Sequence, residues 1–241
     1  MIDASPILLV GSALVGAVTG SFAVTAAMRS AGGHDAVGGR SRCDQCGVAL
    51  AFARTIPLLS FALHGGRCHA CQGEIARDHL AGEGSGLALG FAAGLTLPLP
   101  LAATAIAMGS LLIFVAAYDI RTLRIPDWAS AGTAGLGALA AFQHQELLAS
   151  LAVALGMGVM LFLGAAGFQR VRGRPGLGGG DIKLAVGLSL WTGPMLAGVG
   201  LLAACAAALV WVACLRPAGR LAFGPFLALG FWTVGLAGAI A

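Results

Sequence analysis

Two acids sit where acids are costly. Asp119 closes the apolar run GSLLIFVAAYD, and Asp181 opens another in GLGGGDIKL. A charged Asp within a membrane span costs about 2.5–3.5 kcal/mol on insertion scales, so two of them at matching rims call for a reason. Either alone reads as a rim residue solvated by water; together they suit chemistry. Facing carboxylates hold one proton between them, because like charge and partial desolvation oppose the second ionisation. The ionised member can draw a proton from water as general base while its partner protonates a carbonyl oxygen or a leaving amine. Peptide hydrolysis of this kind requires neither metal nor covalent intermediate. Gly178-Gly179-Gly180, ahead of Asp181, are expected to supply φ > 0 and close backbone approach for an extended peptide. Asp127 follows Pro126 and reads as a first-turn acid favoured by the helix dipole, with a structural or substrate-positioning role outside the pair. Lys183 either steadies a carboxylate or meets lipid headgroups.

The second constellation is sulfur. Cys43-Asp-Gln-Cys46 and Cys68-His-Ala-Cys71 are two C-x2-C knuckles with 21 residues between them. Each puts two thiolates on one tight turn, and two such turns close a tetrahedral all-sulfur shell around Zn2+. Four thiolates leave no open position, so this zinc is expected to be structural. Gly47 and Gly73 suit the turns. The surrounding residues 29–83 carry six Arg, four His and the acids Asp35, Asp44, Glu74, Asp78 and Glu83. So polar a segment needs a metal in place of a hydrophobic core. Cys205 and Cys214 fall in an apolar run and read as small packing residues.

The elements that carry these groups follow from composition. Hydrophobic residues make up 58% of the 241 and charged residues only 10%, too few charges to cover a water-facing surface. Apolar runs near 5–28, 84–99, 101–118, 128–142, 147–168, 182–192, 195–214 and 222–240 predict an all-α, polytopic membrane bundle of about eight transmembrane helices. The 38 glycines fit helices packed closely in lipid. The division is a first helix (1–28), a four-cysteine zinc-binding module (29–83) and a seven-helix membrane core (84–241). In this arrangement every Lys and Arg lies on one side or at its rim, including Arg40 and Arg54. That side is predicted to be cytoplasmic, with both termini outside. The one-sided net charge of +4 thus belongs to lipid orientation rather than to nucleic acid. A proton-coupled transporter and a zinc-knuckle membrane scaffold are the rival readings; oligomeric state is open.

At these residues the chain resembles the type IV prepilin peptidases, the leader peptidase/N-methyltransferases of bacterial pilus and type II secretion systems. RSRCDQCG, TIPLLSFALHGGRCHAC and GEIARD resemble the family's cytoplasmic loop, YDIRTLRIPD its first catalytic-Asp motif, GGGDIKL its GxGD-type motif, and FGPFLALG (223–230) another characteristic segment. Gly20, Ser21, Phe22 and Arg29 remain of its first-span pattern, and Glu83 lies where the family has a Glu entering the second span. The resemblance implies an inner-membrane aspartic protease. It would cut the basic leader from prepilins and pseudopilins at the cytoplasmic face, after Gly and before Phe. Methylation of the new N-terminus by S-adenosylmethionine would follow; the alternative, raised by Ala23-Val24 standing where the family has Leu-Asn, is a protease-only member lacking methyl transfer. It also implies Asp119 and Asp181 as the water-activating pair, Gly178 and Gly180 as the motif glycines, and Cys43, Cys46, Cys68 and Cys71 as the metal tetrad.

Overall fold

The computed structural model describes residues 6–38, 41–43, 45–51, 55–216 and 219–238. The expectations for Arg40, Asp44, Arg54 and the two termini fall outside these residues. The described residues form eight α-helices, two isolated β-bridges and no strand. The helices are α1 (Pro6–Ala31), α2 (Leu59–Leu63), α3 (Arg77–Thr96), α4 (Leu99–Thr122), α5 (Asp127–Gln143), α6 (Leu147–Arg172), α7 (Gly179–Leu215) and α8 (Gly224–Gly238). Four of them, α1, α4, α6 and α7, are long and apolar enough to cross a membrane, and α8 is a shorter apolar helix.

One expectation changes and one gains detail. The helix expected to begin at 84 begins at Arg77 and takes Asp78 and Glu83 into its first turns. The expected spans 182–192 and 195–214 are two arms of the single element α7, which turns at Gly193 with φ 74° and ψ 171°. That backbone region is essentially restricted to glycine. Pro194 follows, and a proline lacking its N–H is tolerated where a new helical arm starts. The break thus falls within the connection expected at 192–194, and the two expected spans are the two helical arms on either side of it.

The helices pack as two groups joined through α4, which touches α1 and α3 on one side and α5 and α8 on the other; α7 packs against α5, α6 and α8. The α1–α3 seam is built almost wholly of small residues. Its buried positions include Ser12, Ala13, Gly16, Ala17 and Gly20 on α1 and Gly82, Gly86, Gly90 and Ala93 on α3. A Cβ at Gly16 would overlap the carbonyl oxygen of Gly86, and one at Gly86 would overlap that of Gly16. Backbone approach of this kind drives helix association in lipid, where apolar side chains gain little by leaving the hydrocarbon. The other group buries large side chains: Met108, Leu112, Phe114, Leu184, Leu188, Leu227, Phe231 and Trp232. There Trp232 Nε1 donates to Ala105 O at 3.2 Å, tying α8 to α4 with its polar atom satisfied.

Candidate active site

Asp119 lies in the last turn of α4. The helix ends at Leu123, in the left-handed conformation (φ 52°), whose N–H returns to Asp119 O. The side chain is buried, only 4% exposed, and Oδ2 accepts the backbone N–H of Gly224 at 2.8 Å. Gly224 is the first residue of α8, so the positive end of that helix faces the carboxylate. A Cβ at Gly224 would stand 2.8 Å from Asp119 Oδ2; only glycine brings the amide this close. FGPFLALG thus has a physical role that sequence reasoning registered only as a resemblance. The signal for it, a Gly-Pro pair opening an apolar helix, identifies a helix start without identifying its partner.

Asp181 is half-buried in the first turn of α7. Its carboxyl is hydrogen-bonded by the Gly178 backbone amide and lies within electrostatic range of the Asp119 carboxyl. The two acids are therefore neighbours, one at the end of α4 and the other at the start of α7. Gly180 brings α7 against the α4–α5 connection: a Cβ there would lie 3.1 Å from Ile125 Cβ. Close approach at the triglycine is as expected, but left-handed backbone is not. Gly178 has φ −71°, and positive φ occurs at neither Gly179 nor Gly180. Lys183 Nζ meets Asp127 Oδ1 at 2.7 Å, joining α7 to the N-terminus of α5. Asp127 is accordingly an exposed partner of Lys183.

The knuckles form a separate cluster. Sγ atoms of Cys43, Cys46, Cys68 and Cys71 all lie within 4.8 Å of one another, with Cys43–Cys71 and Cys46–Cys68 each at 3.9 Å. Zn–S bonds of about 2.3 Å in a tetrahedron give S–S edges of about 3.8 Å, so the donor set fits zinc. The two knuckles repeat one design. Cys43 N–H donates to Val48 O and Gly47 N–H to Cys43 O; Cys68 N–H donates to Gly73 O and Gln72 N–H to Cys68 O. Bridges Arg42–Ala49 and Arg67–Glu74 close them. In the second knuckle the left-handed position is Gln72 (φ 57°), matching Gly47 (φ 70°) in the first. Gly73 does not turn the chain. It makes room for Gln45, whose side chain would collide with a Cβ there. The amides of Cys71 and Ala70 draw the Cys68 thiol down to about 6. For Cys46, the Val48 amide favours the thiolate, yet desolvation and the three neighbouring sulfurs push it up to about 11. Holding all four sulfurs as thiolates side by side would take a cation among them. Cys205 and Cys214 are exposed on the outer face of α7, not packed as expected, because the apolar run there faces outward.

An apolar helical bundle presenting two convergent carboxylates at helix ends, with a four-cysteine cluster in a separate polar module, has the makings of a membrane-embedded hydrolase. Comparison with known proteins specifies it further. Residues 106–213 match the Type IV leader peptidase family and residues 14–96 match the Bacterial Peptidase A24 N-terminal domain. A Burkholderia pseudomallei prepilin leader peptidase/N-methyltransferase is 34% identical over 205 residues, covering 79% of this chain and 65% of the relative. A protein of the same name from Pectobacterium carotovorum is 32% identical over 202 residues, 79% of this chain and 71% of the relative. A type 4 prepilin-like proteins leader peptide-processing enzyme of Escherichia coli is 29% identical, covering 79% and 73%. The chain spans about two thirds of the length of these relatives. No solved structure matches it. The chain belongs to the type IV leader peptidase family, the prepilin peptidases.

Proposed function

We propose that this protein is an aspartic endopeptidase of the bacterial inner membrane that removes the leader from prepilins or pseudopilins, cutting after Gly and before Phe. The carrying observation is that Asp119 and Asp181, on two different apolar helices, lie within electrostatic range of each other. One carboxylate takes the proton of a water as that water adds to the scissile carbonyl; the other, protonated, donates to the carbonyl oxygen and then to the departing amine. The Gly224 amide fixes Asp119, and the Lys183–Asp127 contact fixes the start of α7. In this reading the two arms of α7, together with α1, α3, α4, α5, α6 and α8, make eight spans, with both termini periplasmic. The Arg-rich ends and the cysteine module face the cytoplasm, as the one-sided charge supports. Cys43, Cys46, Cys68 and Cys71 would hold a structural Zn2+ that organises the module and takes no part in hydrolysis. Methyl transfer from S-adenosylmethionine to the new N-terminus completes the reading, supported by the double name of the relatives.

Cleavage of a prepilin in liposomes, analysed by mass spectrometry, tests the assignment. Asp119→Asn and Asp181→Asn are each expected to lower the rate by roughly 10²–10⁴-fold, the usual weight of a general acid or base. Full activity in either folded variant would remove that residue from the pair. A mass gain of one methyl group on adding S-adenosylmethionine would establish the second reaction.

A further inference from the structure

The cysteine module carries an apolar surface that none of the described residues covers. The short helix α2 reads LSFAL and has no buried residue. Leu59 is 51% exposed and Leu63 71%, and Ile56 just ahead of them is exposed as well. Leu59 and Leu63 are four apart, so they share one face of the helix. Ser60, Phe61 and His64 line a cavity of about 450 Å³, which Ser21 of α1 and Glu83 of α3 also border. The leucines take no part in that lining. The helix therefore turns its Ser and His inward and its leucines outward, the reverse of a helix bathed in water. A contiguous patch of this kind marks a surface that meets something.

What it meets follows from its depth. The Leu58 backbone N–H donates to Glu83 Oε2 at 2.7 Å, and Ser21 Oγ donates to Glu83 Oε1 at 2.9 Å. Glu83, only 9% exposed, thus ties the start of α2 to the level of Ser21. Arg29 in the last turn of α1 and Arg77 at the start of α3 mark the headgroup level, where arginine heads reach water. Asp78 pairs with Arg121, in the last turn of α4, at 2.6 Å, which sets the same level on a third helix. Ser21 lies eight residues inward of Arg29, about 12 Å at 1.5 Å per residue. Glu83 lies six inward of Arg77, about 9 Å. Both helices place the start of α2 below the headgroups. We infer that α2 is an interfacial helix, seated in the leaflet on the Arg-rich side with Leu59 and Leu63 among the acyl chains. It lies in the membrane without crossing it. A face open to its surroundings at this depth meets hydrocarbon, and a soluble partner would have to enter the bilayer to reach it. The inference rests on the membrane reading of the bundle and on no part of the chemistry. Its consequence falls on the sulfur cluster. Only residues 64–67 separate α2 from Cys68, so the second knuckle is moored to the bilayer surface.

The test uses the full chain in phosphatidylethanolamine–phosphatidylglycerol vesicles, with the photocrosslinker p-benzoylphenylalanine in place of Leu59, Leu63, Gln72 or Leu155, one at a time. Gln72 is exposed on the second knuckle, and Leu155 is exposed on the outer face of α6. After illumination, phospholipid adducts are counted by mass spectrometry. Adducts at Leu59 and Leu63 are expected at least tenfold above those at Gln72 and close to those at Leu155. Adducts at both leucines no more abundant than at Gln72 would overturn the placement. Crosslinks to a second copy of the chain, or to an added prepilin, in place of lipid would overturn it too and give the patch to that partner. Absence of adducts at Leu155 as well would overturn the membrane reading itself. Should the leucine variants fail to fold, wild type is labelled with a carbene-generating phospholipid: label within 56–63 upholds the inference, and label confined to other segments overturns it.

Discussion

The two ends of the chain reach membrane stability by opposite means. Around α1 and α3, the buried side chains are almost all hydrogen, methyl or hydroxymethyl, and the backbones themselves touch; beyond them a polar module leans on four sulfurs. Around α7 and α8, the helices interlock through Leu184, Leu188, Phe231 and Trp232. A seam made of backbone has no side chain that can yield, so it is exact about distance and intolerant of bulk. An interdigitated core distributes strain over many rotamers and tolerates exchange of similar volumes. The candidate peptidase acids belong to the second kind of packing, and the Glu83 cavity to the first.

That contrast can be attacked at four points. The heaviest effect is expected from Cys68→Ser, since structural zinc at such sites contributes an apparent ~10–16 kcal/mol to folding its module. Zinc content should fall well below one per chain, and limited proteolysis should open the segment between Arg42 and Ile75 while the α4–α8 core stays resistant. Next, Gly86→Leu should force α1 and α3 apart. Overpacking ordinarily costs about 1–3 kcal/mol, and here the obstacle is the Gly16 carbonyl, which cannot rotate away. Leu188→Met in the other group should stay under about 1.5 kcal/mol. Equal drops in melting temperature for this pair would erase the distinction between the two regions.

Gly224→Ala sharpens it from the other side. The new methyl would press on Asp119 Oδ2, and displacing a reacting group by about 1 Å can cost 10²-fold in rate. Cleavage should therefore slow by roughly 10–100-fold with little change in melting temperature; wild-type cleavage rates would release Gly224 from any role at the acid pair. Smallest is Lys183→Met. The Lys183–Asp127 pair is 57% and 79% exposed, and such pairs are worth about 0.2–1 kcal/mol. Its loss should barely move the melting point, and the shift should shrink further at high salt.

Local chemistry made much of this legible from sequence. The C-x2-C spacing forecast the sulfur cluster because two turns and four thiolates are nearly self-sufficient. Asp119 and Asp181 stood out because acids at the rims of apolar runs are rare. The contacts that fix them were not legible. Gly224 lies more than a hundred residues from Asp119, and nothing in FGPFLALG states which carboxylate its amide will meet. Gln72 took the left-handed turn that Gly73 was expected to make, since the knuckle geometry selects a position rather than a residue type. The break at Gly193 was visible as an apolar run interrupted by Gly-Pro, but the same letters serve a kink and a loop. Helix limits also moved where apolarity fades gradually, as at Arg77, because backbone hydrogen bonds continue into the polar end.

The turn at Gly193 has a further consequence. The arm of α7 that begins beside Asp181 is about 14 residues long, roughly 21 Å at 1.5 Å per residue. The hydrocarbon layer is about 30 Å thick. On the proposed eight-span reading, lipid bordering this arm would shorten its chains' reach, or water would follow the polar end inward. Either way the proposed acid pair would sit at a dimple in the bilayer, level with a peptide bond just outside a substrate's transmembrane segment. Bilayer thickness would then control the proposed reaction: short-chain lipids should favour cleavage, and long-chain lipids should bury the dimple and slow it.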